Sequence, residues 1–350
     1  MKRPAADNSY TPVRCIFKAL FNRATVYSTL GSYGNASADY ETMRRMLEDD
    51  PISLTVPYRK ALMNYAYMLI DKTREYDKAE TLLEHFRASF GKKLHIVSVS
   101  LCNNLGLIFQ ARDGNIGKAL EYYKKGLKIT ERIEDKTLEW ALNINIGRCH
   151  QDTGKFDEAK VYYERALALA KAKNNPADIS STLSNLGIVH AEKGDLEKAM
   201  LFFKEARSMA ERIRFLHVIA YSSLNLSHAL ELCGRWRDAI AEYRKLYALT
   251  VKQGYARLGL TAMASIAELS VKTGHLKEAE SAYKKSIALS EAQDNKKKEA
   301  YLILELAELM VKSGRKINAR ELIKKTETLN SHLKDDVIEN KISEMKIRIS

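Results

Sequence analysis

The sequence is poor in the features that mark an enzyme, a secreted scaffold or a membrane protein. Its 350 residues hold only four cysteines, at positions 15, 102, 149 and 233, with no CxxC pair. That spacing argues against a disulfide framework or a zinc site and points to buried thiols in a reducing compartment. Five prolines and sixteen glycines leave little room for disordered linkers. No apolar run approaches the ~18 residues of a membrane span, and the opening MKRPAADNSYTP lacks the apolar stretch of a signal peptide. The expectation is a soluble, cytoplasmic protein without a transmembrane segment. Missing too are a P-loop, a dinucleotide-binding glycine loop, an HExxH pair and a GxSxG elbow. Cys149, His150, Gln151 and Asp152 put nucleophile, base and acid types in a row, yet neighbours on a helix point about 100° apart and cannot form a triad. No catalytic residue, metal or cofactor is expected, and the chain reads as a non-enzyme.

What the sequence does have is a period. The stretch 185–206, NLGIVHAEKGDLEKAMLFFKEA, reads as the end of one helix, a turn at Gly194 and Asp195, and a second helix with Leu196, Ala199, Met200, Phe203 and Ala206 on one face. The alanine that opens the second helix returns as Ala36, Ala79, Ala119, Ala159, Ala199, Ala239, Ala279 and Ala319, with a first gap of 43 residues and then gaps of 40. Five residues ahead stand Gly31, Gly114, Gly154, Gly194, Gly234, Gly274 and Gly314, with Arg74 the one substitution. Four residues after come Tyr40, Leu83, Tyr123, Tyr163, Phe203, Tyr243, Tyr283 and Ile323. Twelve residues before stand Ala24, Gly147, Gly187, Ser227, Ala267 and Ala307, while Ala66 and Gly106 are thirteen before. Small groups at two places predict a close helix crossing of about 8–10 Å, with the large ring filling the space towards the next repeat.

Eight such hairpins predict an all-α solenoid over residues 13–330, after a flexible tail at 1–12. The joint from Glu48 to Pro57, which absorbs the longer first gap, should be the most irregular. Lys2, Arg3 and Pro4 resemble half of a bipartite nuclear signal, but no second basic cluster follows. Beyond the repeats, Leu333, Val337, Ile338, Ile342, Met345 and Ile349 at near-helical spacing predict a capping helix over 331–350.

These small, glycine and aromatic positions resemble the tetratricopeptide repeat, and the 40-residue period is similar to the long repeats of kinesin light chains and Pins-type adaptors. The resemblance implies a right-handed α-solenoid of eight helix-turn-helix repeats, first helices lining a concave groove and second helices outside. The second helices of repeats three to eight carry 28 Lys and Arg against 16 Asp and Glu, so by resemblance most of the net charge of +13 lies on the convex side. A solvated surface is the plain reading, and weak salt-sensitive contact with acidic surfaces or nucleic acid the sharper one.

The groove itself reads as polar and not basic, which disfavours nucleic acid and favours a protein or peptide partner. The expected peptide-binding residues are Asn64, Asn104, Asn145, Arg148, Gln151, Asn185, Glu192, Asn225, His228, Glu231 and Glu268, with acids gaining towards the C-terminal end. Asn22, Asn64, Asn104, Asn145, Asn185 and Asn225 return two residues before the small residue. Each amide could tie neighbouring helices together, or the row could meet the backbone of an extended peptide, as the resemblance implies. The expected function is a non-enzymatic adaptor. A sensory region that regulates an enzyme or transcription factor is the alternative, and nucleic-acid binding the third reading.

Overall fold

The computed structural model describes residues 12–49, 56–90 and 95–349, and every element in it is helical, with no strand among the described residues. The expected tail and the centre of the Glu48–Pro57 joint lie outside the described residues. The chain divides into two compact units, one ending at Lys173 and one from Asn174 to Ser350.

The first unit holds four helical pairs: α1 (Pro12–Thr29) with α2 (Tyr33–Asp49), α3 (Val56–Met68) with α4 (Tyr76–Phe90), α5 (His95–Ala111) with α6 (Ile116–Ile133), and α7 (Lys136–Asp152) with α8 (Phe156–Ala172). The second unit holds four more, α9 (Pro176–Glu192) with α10 (Leu196–Arg212), α11 (Leu216–Leu232) with α12 (Trp236–Gln253), α13 (Ala256–Lys272) with α14 (Leu276–Ala292), and α15 (Lys296–Lys312) with α16 (Lys316–Leu333). A last helix, α17 (Asp336–Ile349), packs on α15 and α16. Helix α16 runs unbroken through Leu333 and ends at Lys334 in the left-handed conformation, φ 52°.

The periodic residues are the core. All eight alanines that open the second helices are 0% exposed, and the eight large residues four positions on are buried with them. The ring is seated within its own hairpin while its outer edge faces the first helix of the next one, where the Tyr243 hydroxyl meets Ser265. It lies on the small residue of its own hairpin: a Cβ placed on Gly147 would come within 2.6 Å of the Tyr163 ring, and one on Gly187 within 2.5 Å of the Phe203 ring. Removing the side chain at that slot is therefore what seats the aromatic ring, and the Cβ-free helix and the ring are one packing unit.

The turns repeat as faithfully. Lys155, Asp195, Arg235, His275 and Arg315 each donate their backbone N–H to a carbonyl five residues back, at 2.8–2.9 Å, and the glycine between adopts positive φ. This 6→1 bond satisfies a carbonyl that the helix end would leave bare. In the second hairpin the extra residue between Ala66 and Ala79 is absorbed by a π-turn, Leu69–Thr73, followed by Arg74 at φ 57°. In the third, the turn after α5 takes up the added residue, with the Asn115 N–H donating to the Phe109 carbonyl at 2.8 Å.

Candidate functional site

In the first unit, α3, α5 and α7 present a shared face, and between them lies a recess of about 640 Å³. The π-turn brings Ile70 and Asp71 to its rim, α3 supplies Tyr67, α5 supplies Asn103, Leu107 and Gln110, and α7 supplies Trp140, Ile144, Asn145 and Arg148. Arg74 closes the turn beside them. Aromatic walls, amides and two guanidinium groups in one concavity suit a peptide, which offers apolar side chains, a polar backbone and charge together.

The asparagine row divides. Asn104 is buried and donates from Nδ2 to the Met63 carbonyl on α3 at 3.1 Å. Asn145 donates from Nδ2 to Oδ1 of Asn103 at 2.8 Å. Both amides thus tie consecutive first helices. Asn64, Asn185 and Asn225 are half-buried, and among the described residues Asn185 and Asn225 have no hydrogen-bonding partner. Gln151 accepts from the Tyr163 hydroxyl at 3.0 Å, and Gln110 from Tyr123 at 3.1 Å while donating to Asp152 at 2.9 Å. Glu231 accepts from Tyr243 at 3.3 Å. These acceptors hold the hydroxyls of rings whose edges are fully buried, which a solvated peptide contact would not require. Where the ring is Phe203, without a hydroxyl, the equivalent position is Ala191, and before Tyr283 it is Val271.

On the second unit the first helices carry an acidic column. Burial raises the Glu268 carboxyl above the ordinary carboxylate range, opposed by Lys298 and reinforced by Glu305 and Glu231. Lys272 stands 3.7 Å from Glu231, and Glu305 is held by Lys341 of α17. His228 lies edge-on to Tyr243 at 5.9 Å between centroids, and burial lowers its pKa. Glu192 is exposed at the end of α9.

The row of nucleophile, base and acid types separates as helix geometry requires. Cys149 is fully buried, which pushes its thiol up to about 12, far from a reactive thiolate. His150 stacks on Tyr162 at 5.5 Å, His190 on Phe202 at 5.3 Å and Phe109 on Tyr122 at 5.4 Å, so this slot is a packing position three residues after the small one. Among the described residues no three His, Cys, Asp or Glu side chains converge on a metal-sized site, and no helix is long and apolar enough to cross a membrane. Part of the second-helix charge is matched across repeats, by Arg207 with Glu242 at 2.5 Å and Lys325 with Glu291 at 2.8 Å.

Among the recess residues, Tyr67, Asn103 and Trp140 were not singled out by the sequence, and Arg74 stood out only as the one turn without glycine. One signal was available for Tyr67. It follows the small residue Ala66 directly, in the slot that Arg148, His228 and Glu268 occupy after Gly147, Ser227 and Ala267. Constant small residues flanked by a changing neighbour mark the boundary between core and face.

Two tetratricopeptide-repeat family models match the chain, one over residues 137–212 and the other over 17–42, 99–132 and 260–293. No curated protein matches the sequence significantly. Among solved structures, the chain is similar to a Signal Transduction ATPase with Numerous Domains with a tetratricopeptide repeat sensor from Pyrococcus horikoshii. That match has 17% identity and a TM-score of 0.73, and covers 97% of this chain and 53% of the other, so this chain spans about half the length of that protein. It is similar also to a Rap protein complexed with Competence and Sporulation Factor, at 14% identity and TM-score 0.57, over 97% and 99% of the two chains. The apo quorum sensor NprR from B. thuringiensis matches at 15% identity and TM-score 0.57, over 89% and 98%. At these identities the likeness is one of fold.

Proposed function

We propose that this chain, a tetratricopeptide-repeat protein, is a non-enzymatic adaptor of the cytoplasm that binds a peptide segment of a partner protein on its first-helix faces. The observation that carries the reading is the recess of the first unit, where three successive first helices converge aromatic, amide and guanidinium groups around about 640 Å³. Such a mixture recognises an extended peptide through its side chains and its backbone at once. The unpartnered amides of Asn185 and Asn225 extend the same chemistry to the second unit, since each offers a donor and an acceptor.

A second reading has its own support. The similar folds described above include a sensor region and a Rap protein complexed with a factor, and a region of this kind senses a ligand and passes the change to an output on another chain or another part of the same chain. Both readings place the ligand on first helices. Amide exchange on the intact chain, with and without a partner retained from native lysate and identified by mass spectrometry, tests them together. Protection is expected over 100–110 and 138–150 and at the face of α9 and α11. Protection confined to the second helices would refute the groove, and an output that changes with a small free peptide would favour the sensor.

A further inference from the structure

We infer that the recess of the first unit seats an acidic side chain, an internal Asp or Glu of the bound segment next to an aromatic or apolar residue. This rests on the peptide-binding reading above and names the anchor. Arg74 and Arg148 both line the recess, with Tyr67 and Trp140 as its aromatic walls. Among the described residues neither arginine has an ion-pair or hydrogen-bonding partner in the protein. The one carboxylate of the lining, Asp71, is already paired with Lys72 at 2.6 Å. Two guanidinium groups therefore stand uncompensated at an apolar-walled concavity, an arrangement that a carboxylate completes through paired N–H donors.

The backbone singles out the same place. At this turn seven of the eight hairpins have glycine at positive φ, and the exception is Arg74 at φ 57°. A left-handed conformation disfavours every residue with a Cβ, so a large side chain kept there is retained against the local preference of the chain. The π-turn that precedes it, Leu69–Thr73, is also found in no other hairpin among the described residues, and π-turns concentrate at functional sites. Strain, an added residue and an unpaired cation coincide at the rim of one recess.

The rest of the lining fits a chain that continues on both sides of the anchor. Asn145 donates to Asn103, which leaves Nδ2 of Asn103 and Oδ1 of Asn145 for a peptide N–H and carbonyl. A carboxylate suits the site better than a phosphate. Asp71 shares the lining, and its charge opposes a dianion about twice as strongly as a monoanion.

The test uses the intact chain and an array of random twelve-residue peptides, all amidated at the C-terminus. Retained peptides are then titrated by fluorescence polarisation beside counterparts with amide in place of acid, with phosphoserine in place of acid, and with a free C-terminus. Retained sequences should share an Asp or Glu beside an aromatic or apolar residue. Exchange of acid for amide should weaken binding at least about tenfold, as should Arg148→Ala and Arg74→Gly, the loss expected for a charged hydrogen bond. Arg74→Gly installs the residue that seven other turns use, so its melting temperature should equal or exceed that of the parent. Peptides that bind equally with amide in place of acid, or that bind both variants like the parent, overturn the anchor while leaving peptide binding intact. A requirement for a free C-terminus, or a preference for phosphoserine, overturns the internal carboxylate. Failure of the intact chain to retain any peptide overturns both readings.

Discussion

A buried amide and an open one can occupy the same sequence slot and do different work. Asn104 spends its Nδ2 on the Met63 carbonyl, and loss of a buried hydrogen bond that leaves its partner unmet costs about 1–3 kcal/mol. Asn104→Ala should therefore lower thermal stability by that amount. Asn185 and Asn225 have no such partner, so changing both to Ala should leave the melting temperature within about 1 °C of the parent, an unfolding effect of the size seen at exposed sites. The same double change should weaken peptide binding by about 1–3 kcal/mol. Calorimetry and a binding titration on the three proteins separate these effects, and a double variant that melts low but binds normally would assign the whole row to structure. His150 supplies a second residue-scale test. Its ring is stacked on Tyr162, and burial first, then Lys124, lowers its pKa below 6.5. The unfolded chain takes up the proton before the folded one does, so this contribution is complete above pH 6.5 and is lost as pH falls below it. His150→Phe, which keeps the stack and cannot titrate, should flatten the stability profile below pH 6.5, read by denaturant unfolding at several pH values.

The elements were legible because the period writes the same instruction at every hairpin. Ala199 opens a second helix, Phe203 fills the slot over Gly187, and Gly194 makes the turn, and the same triple at a 40-residue spacing fixes helix, crossing and reversal without any long-range inference. The seat of the ring was legible only in part. A large residue four positions after a small one can point into its own hairpin or beyond it, and only the three-dimensional crossing decides. The joints were legible in part. Asn174, Gly254 and Asp294 carry residues that tolerate the left-handed region, yet Glu134, Arg214 and Lys334 take it as well, at φ 52–54°, with nothing in their chemistry to announce it. Their position is set by the helix on either side. This predicts a gain from substitution. A left-handed residue with a Cβ costs about 1–2 kcal/mol, whereas glycine's additional chain entropy costs about 0.5–1 kcal/mol. Arg214→Gly should then raise stability by about 0.5–1 kcal/mol, the difference of the two terms, as a higher denaturant midpoint with an unchanged slope. The candidate site was less legible than the fold. Arg148 and Asn145 stand in slots beside Gly147, and Tyr67 in the corresponding slot after Ala66, but Trp140 is brought to the recess by packing between hairpins, which no repeat position records.

At the scale of the molecule, a chain of repeats buries each hairpin against its neighbours and leaves the last one with a face to cover. In the second unit α17 supplies that cover. Ile338, Ile342, Met345 and Ile349 are all buried in the core cluster that contains Leu302, Leu306 and Ile323, and Arg320 donates to the Ile349 carbonyl at 3.0 Å. Asn330 fastens the turn into α17, its Nδ2 reaching the Asp335 carbonyl at 3.2 Å and Glu339 at 3.0 Å. Lys297 adds an ion pair to Asp335 at 2.6 Å. Full burial of each such aliphatic side chain contributes about 1.5–3 kcal/mol, so the apolar face of α17 outweighs the exposed ion pairs, worth about 0–1 kcal/mol each. Deleting residues 335–350 should uncover α15 and α16, lower the melting temperature of the chain and drive concentration-dependent self-association, because an uncovered repeat face is an apolar patch that a second copy can bury. Light scattering across a concentration series measures it. Replacing Ile338 and Ile342 together with Ser should reproduce the effect at full length, while Val337→Ser, at a position 62% exposed, should do neither. A truncated chain that stayed monomeric and melted with the parent would show that α15 and α16 close their own face and that α17 merely rests on it.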